Sequence, residues 1–93
     1  MRLPIRMSMA AQRDRFRLAV FLAENNPTAA RRAAEAIIDG IAALGDHPFR
    51  GRVDADGLRE LMIPFGQSGY VARYSVHADH IVIARVFHMR EDR

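Results

Sequence analysis

The sequence predicts an α+β domain: an N-terminal strand, an antiparallel helical hairpin, then a small antiparallel β-sheet, in the order β–α–α–β–β–β. Three observations carry this reading. Two segments with helical apolar spacing meet at "NNP", residues 25–27, a join so short that the helices must fold back on each other. Three strand-length apolar runs fill residues 58–88, separated by "FGQSG" and "HADH", both of which read as hairpin turns. Finally, 93 residues make one domain, 1–93, and 49% apolar content is enough for one core.

Each element has a local cause. In residues 2–7, Leu3, Ile5 and Met7 alternate with Arg2, Pro4 and Arg6, as in a half-buried strand. Pro4 has no N–H to give a ladder, so the strand belongs at an edge or pairs on one side only. Ser8 caps a helix over 9–24, with Phe16, Val20 and Ala23 on one face and Arg13 and Arg17 on another. Pro27 forbids helical geometry at Asn26 and suits the first position of a second helix capped by Asn26. That helix spans 27–44 and carries the stripe Ala30, Ala34, Ile37, Ile41 and Leu44. Gly40 costs an interior helix about 1 kcal/mol, which marks a close backbone approach. Gly45 is expected to end the helix in the left-handed conformation, and Pro48 bars its continuation. A polar loop over 46–57 leads into strands at 58–64, 70–76 and 81–88.

The composition restricts the chemistry. There is no cysteine, which removes disulfides and thiolate metal sites and suits a reducing cytosol. No apolar run approaches the roughly 20 residues of a membrane span, and the N-terminus lacks the apolar stretch of a signal peptide. Fifteen alanines bury little area each, so the core is expected to lean on Phe16, Phe21, Phe49, Phe65, Phe87, Tyr70, Tyr74 and the aliphatic set. All fourteen basic residues are arginine and the net charge is +3. Codon bias accounts for the absence of lysine; physically, the result is a set of cationic forks matched to carboxylate or phosphate. Such a protein suits nucleic acid or an acidic protein as partner.

With Ala78 and Asp79 at the centre of the last hairpin, Val76 faces Ile81, Tyr74 faces Ile83 and Tyr70 faces Phe87. That face takes the helices, and Arg85, opposite Ala72, must snorkel or find an acid there. The other face then carries Val71, Arg73, Ser75, Val82, Ala84, Val86, His88 and Arg90, an apolar centre with basic groups around it. A one-residue slip would exchange the two faces. His88 is the histidine of that face, and an imidazole can act as a general acid or base. If the protein is a nuclease, His88, Arg73, Arg90, Arg52 and Glu60 supply the acid, the base and the cations that phosphodiester cleavage needs. The same residues could instead dock an acidic peptide, and a merely polar end to a buried strand accounts for "VFHMREDR" as well. Two histidines in "HADH" fall short of a zinc site, and Asp54 and Asp56 read as loop solvation. No cofactor motif and no metal site are expected.

In order, the segments "SMAAQRDRF", "NNPTAARRAAEAIIDGIAALGDHPFRGR", "GLREL", "YVARYSV" and "IVIARVFHMR" resemble the RelE/ParE toxin superfamily of bacterial type II toxin–antitoxin modules over residues 3–92. Its more specific parts are "PTAA" at 27–30, "PFRGR" at 48–52, "REL" at 59–61 and "VFHMR" at 86–90. The resemblance implies a helical hairpin on a small antiparallel sheet. RelE-like members cut mRNA in the ribosome, with Lys, Arg and a C-terminal Tyr or with a Glu/Arg/His set. ParE-like members inhibit DNA gyrase and carry no evident nuclease site. This chain has no lysine and no tyrosine after Tyr74, and its "GLREL", "YVARYSV" and "RVFHMR" look ParE-like. The resemblance therefore implies a cytoplasmic gyrase-binding toxin neutralised by an acidic antitoxin that folds on binding or adds a strand to the sheet. Arg59, Arg73, Arg85, His88 and Arg90 would be its partner-binding residues. Arg13, Arg15, Arg17, Arg31 and Arg32 on the helices offer a second surface.

Overall fold

A computed structural model describes residues 2–91 of the chain. Strand β1 (Ile5–Met7) leads into helix α1 (Met9–Asn25) and helix α2 (Pro27–Ala43), then β2 (Arg52–Val53), β3 (Arg59–Phe65), β4 (Ser68–Val76) and β5 (Ile81–His88). The hairpin forms as its caps dictate. The Ser8 hydroxyl accepts from Ala11 N–H at 3.0 Å, and the Asn26 side chain accepts from Ala29 N–H at 3.1 Å, with Pro27 opening α2.

The sheet runs β1-β5-β4-β3-β2. Its last three long strands are the expected meander, but the sheet is mixed rather than antiparallel. β1 lies parallel to β5, Ile5 beside Ile81 and Met7 beside Ile83, because the hairpin carries the chain across one face and back. As Pro4 requires, β1 is an edge strand. β2, two residues inside the segment read as loop, pairs Arg52 with Glu60 and Val53 with Arg59; it is too short to show a period.

Helices and sheet enclose one core in which Leu18, Ile37, Ile41, Leu44, Leu61, Ile63, Tyr70, Tyr74, Ile81, Ile83 and Val86 are buried. The aromatic expectation was partly wrong: Phe16, Phe21 and Phe49 are 72%, 65% and 65% exposed. α1 turns a different face inward, Ala11, Asp14 and Leu18. A buried acid in that stripe hid it from an apolar pattern.

Two glycines behave differently from each other. Gly40 is the close approach expected, since a Cβ there would meet the Ile63 side chain at 3.0 Å. Gly45 is not left-handed: positive φ occurs at Gly57, Gly66 and Gly69. It is confined instead by Leu3, whose N–H donates to the Gly45 carbonyl at 2.9 Å and whose own carbonyl would lie 3.0 Å from a Cβ.

Candidate functional site

The last hairpin decides what the site contains. Val76 pairs with Ile81 and Tyr74 with Ile83, as expected, but a β-bulge follows. Ala84 takes no partner, Arg73 meets Arg85, Ala72 meets Val86, Val71 meets Phe87 and Tyr70 meets His88. One extra residue reverses side-chain parity beyond it. Val86 and His88, expected on the open face, therefore lie on the helix side, and Arg85 and Phe87, expected in the core, lie on the other.

That reversal splits the residues proposed for catalysis. On the face away from the helices, Arg52, Glu60, Arg73 and Arg85 form one row across β2, β3, β4 and β5. Two arginines directly opposite one another repel, and each is held by acids of the chain itself. Arg73 donates to Asp54 at 3.1 and 2.8 Å and to Asp56 at 3.0 Å, with Glu60 at 3.6 Å. Arg85 donates to Asp14 at 2.7 and 3.0 Å and lies over the Phe87 ring. Asp54 is more than loop solvation, because it also accepts the Asp56 and Leu58 N–H groups. Desolvation raises its pKa, but the bonds from Arg73 and these amides outweigh it and hold the carboxyl below its ordinary range.

Among the described residues Asp14 is the charged one that is buried, 3% exposed. It sits over the stretch of β5 that β1 leaves uncovered, accepting from Val86 N–H at 2.9 Å, from Arg85, and from Arg17 at 3.2 Å. Burial raises its pKa, yet hydrogen bonds from Arg85, Val86 and Arg17 prevail and keep it below 3.8. Glu91 repeats the arrangement one step along the same edge, accepting from His88 N–H at 2.8 Å and from Arg17 at 2.6 Å. Two carboxylates thus cap backbone donors that an added strand would otherwise use.

The remaining candidates divide by task. Arg59 donates to the carbonyls of Phe49 and Gly51 and lies over the Phe49 ring, so it braces the loop after α2. Arg52 and Arg90 are exposed and form no ion pair among the described residues. Asp92 and Arg93, the end of the tail, lie outside the described residues. In "HADH" the rings of His77 and His80 stack at 4.6 Å across the hairpin. Among the described residues no group of three His, Cys, Asp or Glu side chains is placed to hold a metal ion.

On the helix side, His88 stands edge-on to Tyr70 with ring centroids 5.4 Å apart, and its Nδ1 accepts from Arg90 N–H at 3.2 Å. Beside them the outer half of α1 leaves an apolar groove of about 480 Å³ lined by Leu18, Phe21, Leu22 and Tyr70, with Arg17, Arg90 and Glu91 at its rim. Sequence reasoning had singled out His88 and Arg90; Tyr70, Leu18 and Leu22 read as core residues, and Tyr70 and Leu18 are buried in the core with Leu22 packed against it, all three lining this groove as well. The signal was there in part: two aromatics, Phe16 and Phe21, on different sides of one helix cannot both be buried.

Three comparisons bear on this arrangement. A family model described as the ParE toxin of the type II toxin–antitoxin system parDE matches residues 5–93. The chain is 39% identical over 87 residues to Toxin RelE1 of Caulobacter vibrioides, covering 94% of each chain. It is 37% identical over 89 residues to Toxin RelE3 of the same organism, covering 96% of this chain and 97% of that one. A solved structure of the chromosomal ParDE TA system from P. aeruginosa superposes with a TM-score of 0.79 over 92% of this chain and 95% of that one; at 19% identity the likeness is one of fold.

Proposed function

The chain belongs to the ParE toxin family of type II toxin–antitoxin systems, and on that premise we propose that it poisons its target by binding, with DNA gyrase as the target and a cognate acidic antitoxin as the neutraliser. One observation carries the choice of binding over cleavage. The groups a ribonuclease would need lie on opposite faces of the sheet, His88 on the helix side and Arg73 with Glu60 on the other. Phosphodiester cleavage requires acid, base and cation around one phosphate. Arg73 is in addition paired through Nε and Nη2 with Asp54 and Asp56, whose charges offset what it could offer a phosphate. Arginines that form no ion pair among the described residues, including Arg52 and Arg90, suit an acidic partner instead. A gyrase target implies a cytoplasmic site of action; among the described residues no helix is long and apolar enough to cross a membrane.

The names of the two Caulobacter relatives, both RelE toxins, favour a second reading, a ribosome-dependent mRNA endonuclease. Inducible expression with two parallel readouts separates them. A gyrase toxin blocks supercoiling by purified gyrase and leaves transcripts intact. Transcripts cut within codons, with cutting lost in His88→Ala or Arg73→Ala, would establish the nuclease instead.

A further inference from the structure

On the premise of a gyrase-directed toxin, we infer that the loop joining α2 to β2 docks an unpaired stretch of DNA strand, with a base against the Phe49 ring and a phosphate at the Arg50 guanidinium. The loop carries an aromatic that the core does not use: Phe49 is 65% exposed. Arg59 lies over one side of its ring, with the guanidinium carbon 5.0 Å from the centroid. The other side is open, and His47, Pro48 and Arg50 line a surface depression of about 530 Å³ with it. A flat ring backed by a cation offers a planar π-system one free surface to stack on.

Groups from the sheet hold that ring in place. Tyr74 has no exposed surface, and its hydroxyl donates to the Pro48 carbonyl at 2.8 Å and accepts from Gly51 N–H at 2.8 Å. It thereby brackets Phe49 and Arg50 from both sides. Arg59 donates to the carbonyls of Phe49 at 3.2 Å and Gly51 at 2.8 Å, and Arg50 N–H donates to the His47 carbonyl at 3.2 Å. A core tyrosine and a strand arginine thus fix the backbone beneath two exposed side chains. A loop ordered in advance loses little conformational freedom when it binds.

Charge and shape together select the occupant. No carboxylate occurs from His47 to Val53, and the flanking acids, Asp46 and Asp54, are paired with Arg2 and Arg73. Arg50 is exposed and forms no ion pair among the described residues, and Arg59 bonds here to carbonyls. The patch is therefore cationic, unlike the row of Arg73 and Arg85, whose charges the chain itself offsets. A second copy of this basic loop would bring like charge to it. An acidic peptide would answer the arginines and leave the ring unused, whereas a nucleic-acid strand brings a phosphate and a π-face with every nucleotide. In a duplex those faces are stacked on each other, so the ring favours an unpaired strand. Changing the supercoiling of closed DNA requires cutting it, and a cut exposes strand ends whose bases can unstack.

The test uses the purified full-length toxin and a fluorescein-labelled single strand of DNA of mixed sequence, with affinity read by fluorescence anisotropy over a range of salt. Phe49→Leu keeps the apolar bulk of an exposed residue and removes its aromatic face; affinity should fall about tenfold, and Phe49→Tyr should hold it within about twofold of wild type. Arg50→Ala should weaken binding and make the slope of log affinity against log salt shallower by about 0.7, one phosphate contact on a single strand. Arg6→Ala removes the same charge from an exposed site on β1, at the opposite edge of the sheet, and should change affinity by less than about twofold. The duplex of the same sequence should bind more weakly than the single strand. Wild-type affinity in Phe49→Leu, or equal losses in Arg6→Ala and Arg50→Ala, overturns the loop assignment, because charge alone is then at work. Tighter binding of RNA of the same sequence, or of polyglutamate, overturns DNA as the occupant. The target reading is separable: supercoiling by purified gyrase that wild-type toxin leaves unaffected removes that reading while the oligonucleotide results still decide the loop. Gyrase blocked equally by wild type and by Phe49→Leu keeps the reading and overturns the loop's part in it.

Discussion

Asp14 concentrates the residue-scale energetics. A buried carboxylate is costly unless its lone pairs are filled, and here two arginines and a strand amide fill them. Arg85→Leu strips two of those bonds while Arg17 and Val86 remain. The expected cost is about 1–3 kcal/mol, read as a lower urea midpoint at unchanged slope. Acid should act through the same group. Its folded pKa lies below the ordinary 3.8, so its contribution is complete above the unfolded value and disappears as pH falls through the lower folded one. Thermal midpoints should hold steady from about pH 7 to 5 and decline below about pH 4. Asp14→Asn should be less stable at neutral pH and show a shallower acid decline. At this scale the sequence was only half legible. That Arg85 needs an acid follows from its place in an apolar strand. That the acid is Asp14, 71 positions away, does not, because nothing local to either residue encodes the distance between them.

At the scale of elements, the helix N-termini were read correctly because their signals act within four residues of themselves: Ser8, Asn26 and Pro27 each do their work inside one helical turn, whereas the left-handed cap expected at Gly45 is absent. The bulge at Ala84 was not legible. Register on either side of it satisfies alternation equally well, and only the packing of Val86 rather than Phe87 beneath the helices distinguishes them. The loop after α2 is likewise organised from afar. The Tyr74 hydroxyl donates to the Pro48 carbonyl at 2.8 Å and accepts from Gly51 N–H at 2.8 Å. Tyr74→Phe orphans that buried amide and should cost about 1–3 kcal/mol by denaturant titration. A Cβ at Gly51 would lie 2.6 Å from the same hydroxyl, so Gly51→Ala should destabilise the protein by about 1–3 kcal/mol through overpacking. Combining the two should cost less than their sum, since each removes the partner the other disturbs.

For the whole molecule, a small basic domain with an uncovered apolar groove should gain stability from its partner. Antitoxin at a free concentration 100-fold above its dissociation constant should add about 2.7 kcal/mol, raising the midpoint of a domain this size by about 10 °C or more in calorimetry. Affinity should fall as salt is raised if arginines supply the attraction. The sequence by itself determined the order of elements, the helical hairpin, the edge position of β1, the basic surface and the toxin family. Each of these is written in short-range signals: caps, breakers, periodicity, net charge and a chain of local motifs. The tertiary structure alone decided that the sheet is mixed, that a bulge sends His88 and Arg73 to opposite faces, that Arg73 and Arg85 are paired with acids of the same chain, and that Tyr70 lines a groove. Those depend on which residues meet across the fold, and side-chain parity beyond a bulge is set by packing against a distant helix, not by the residues of the strand.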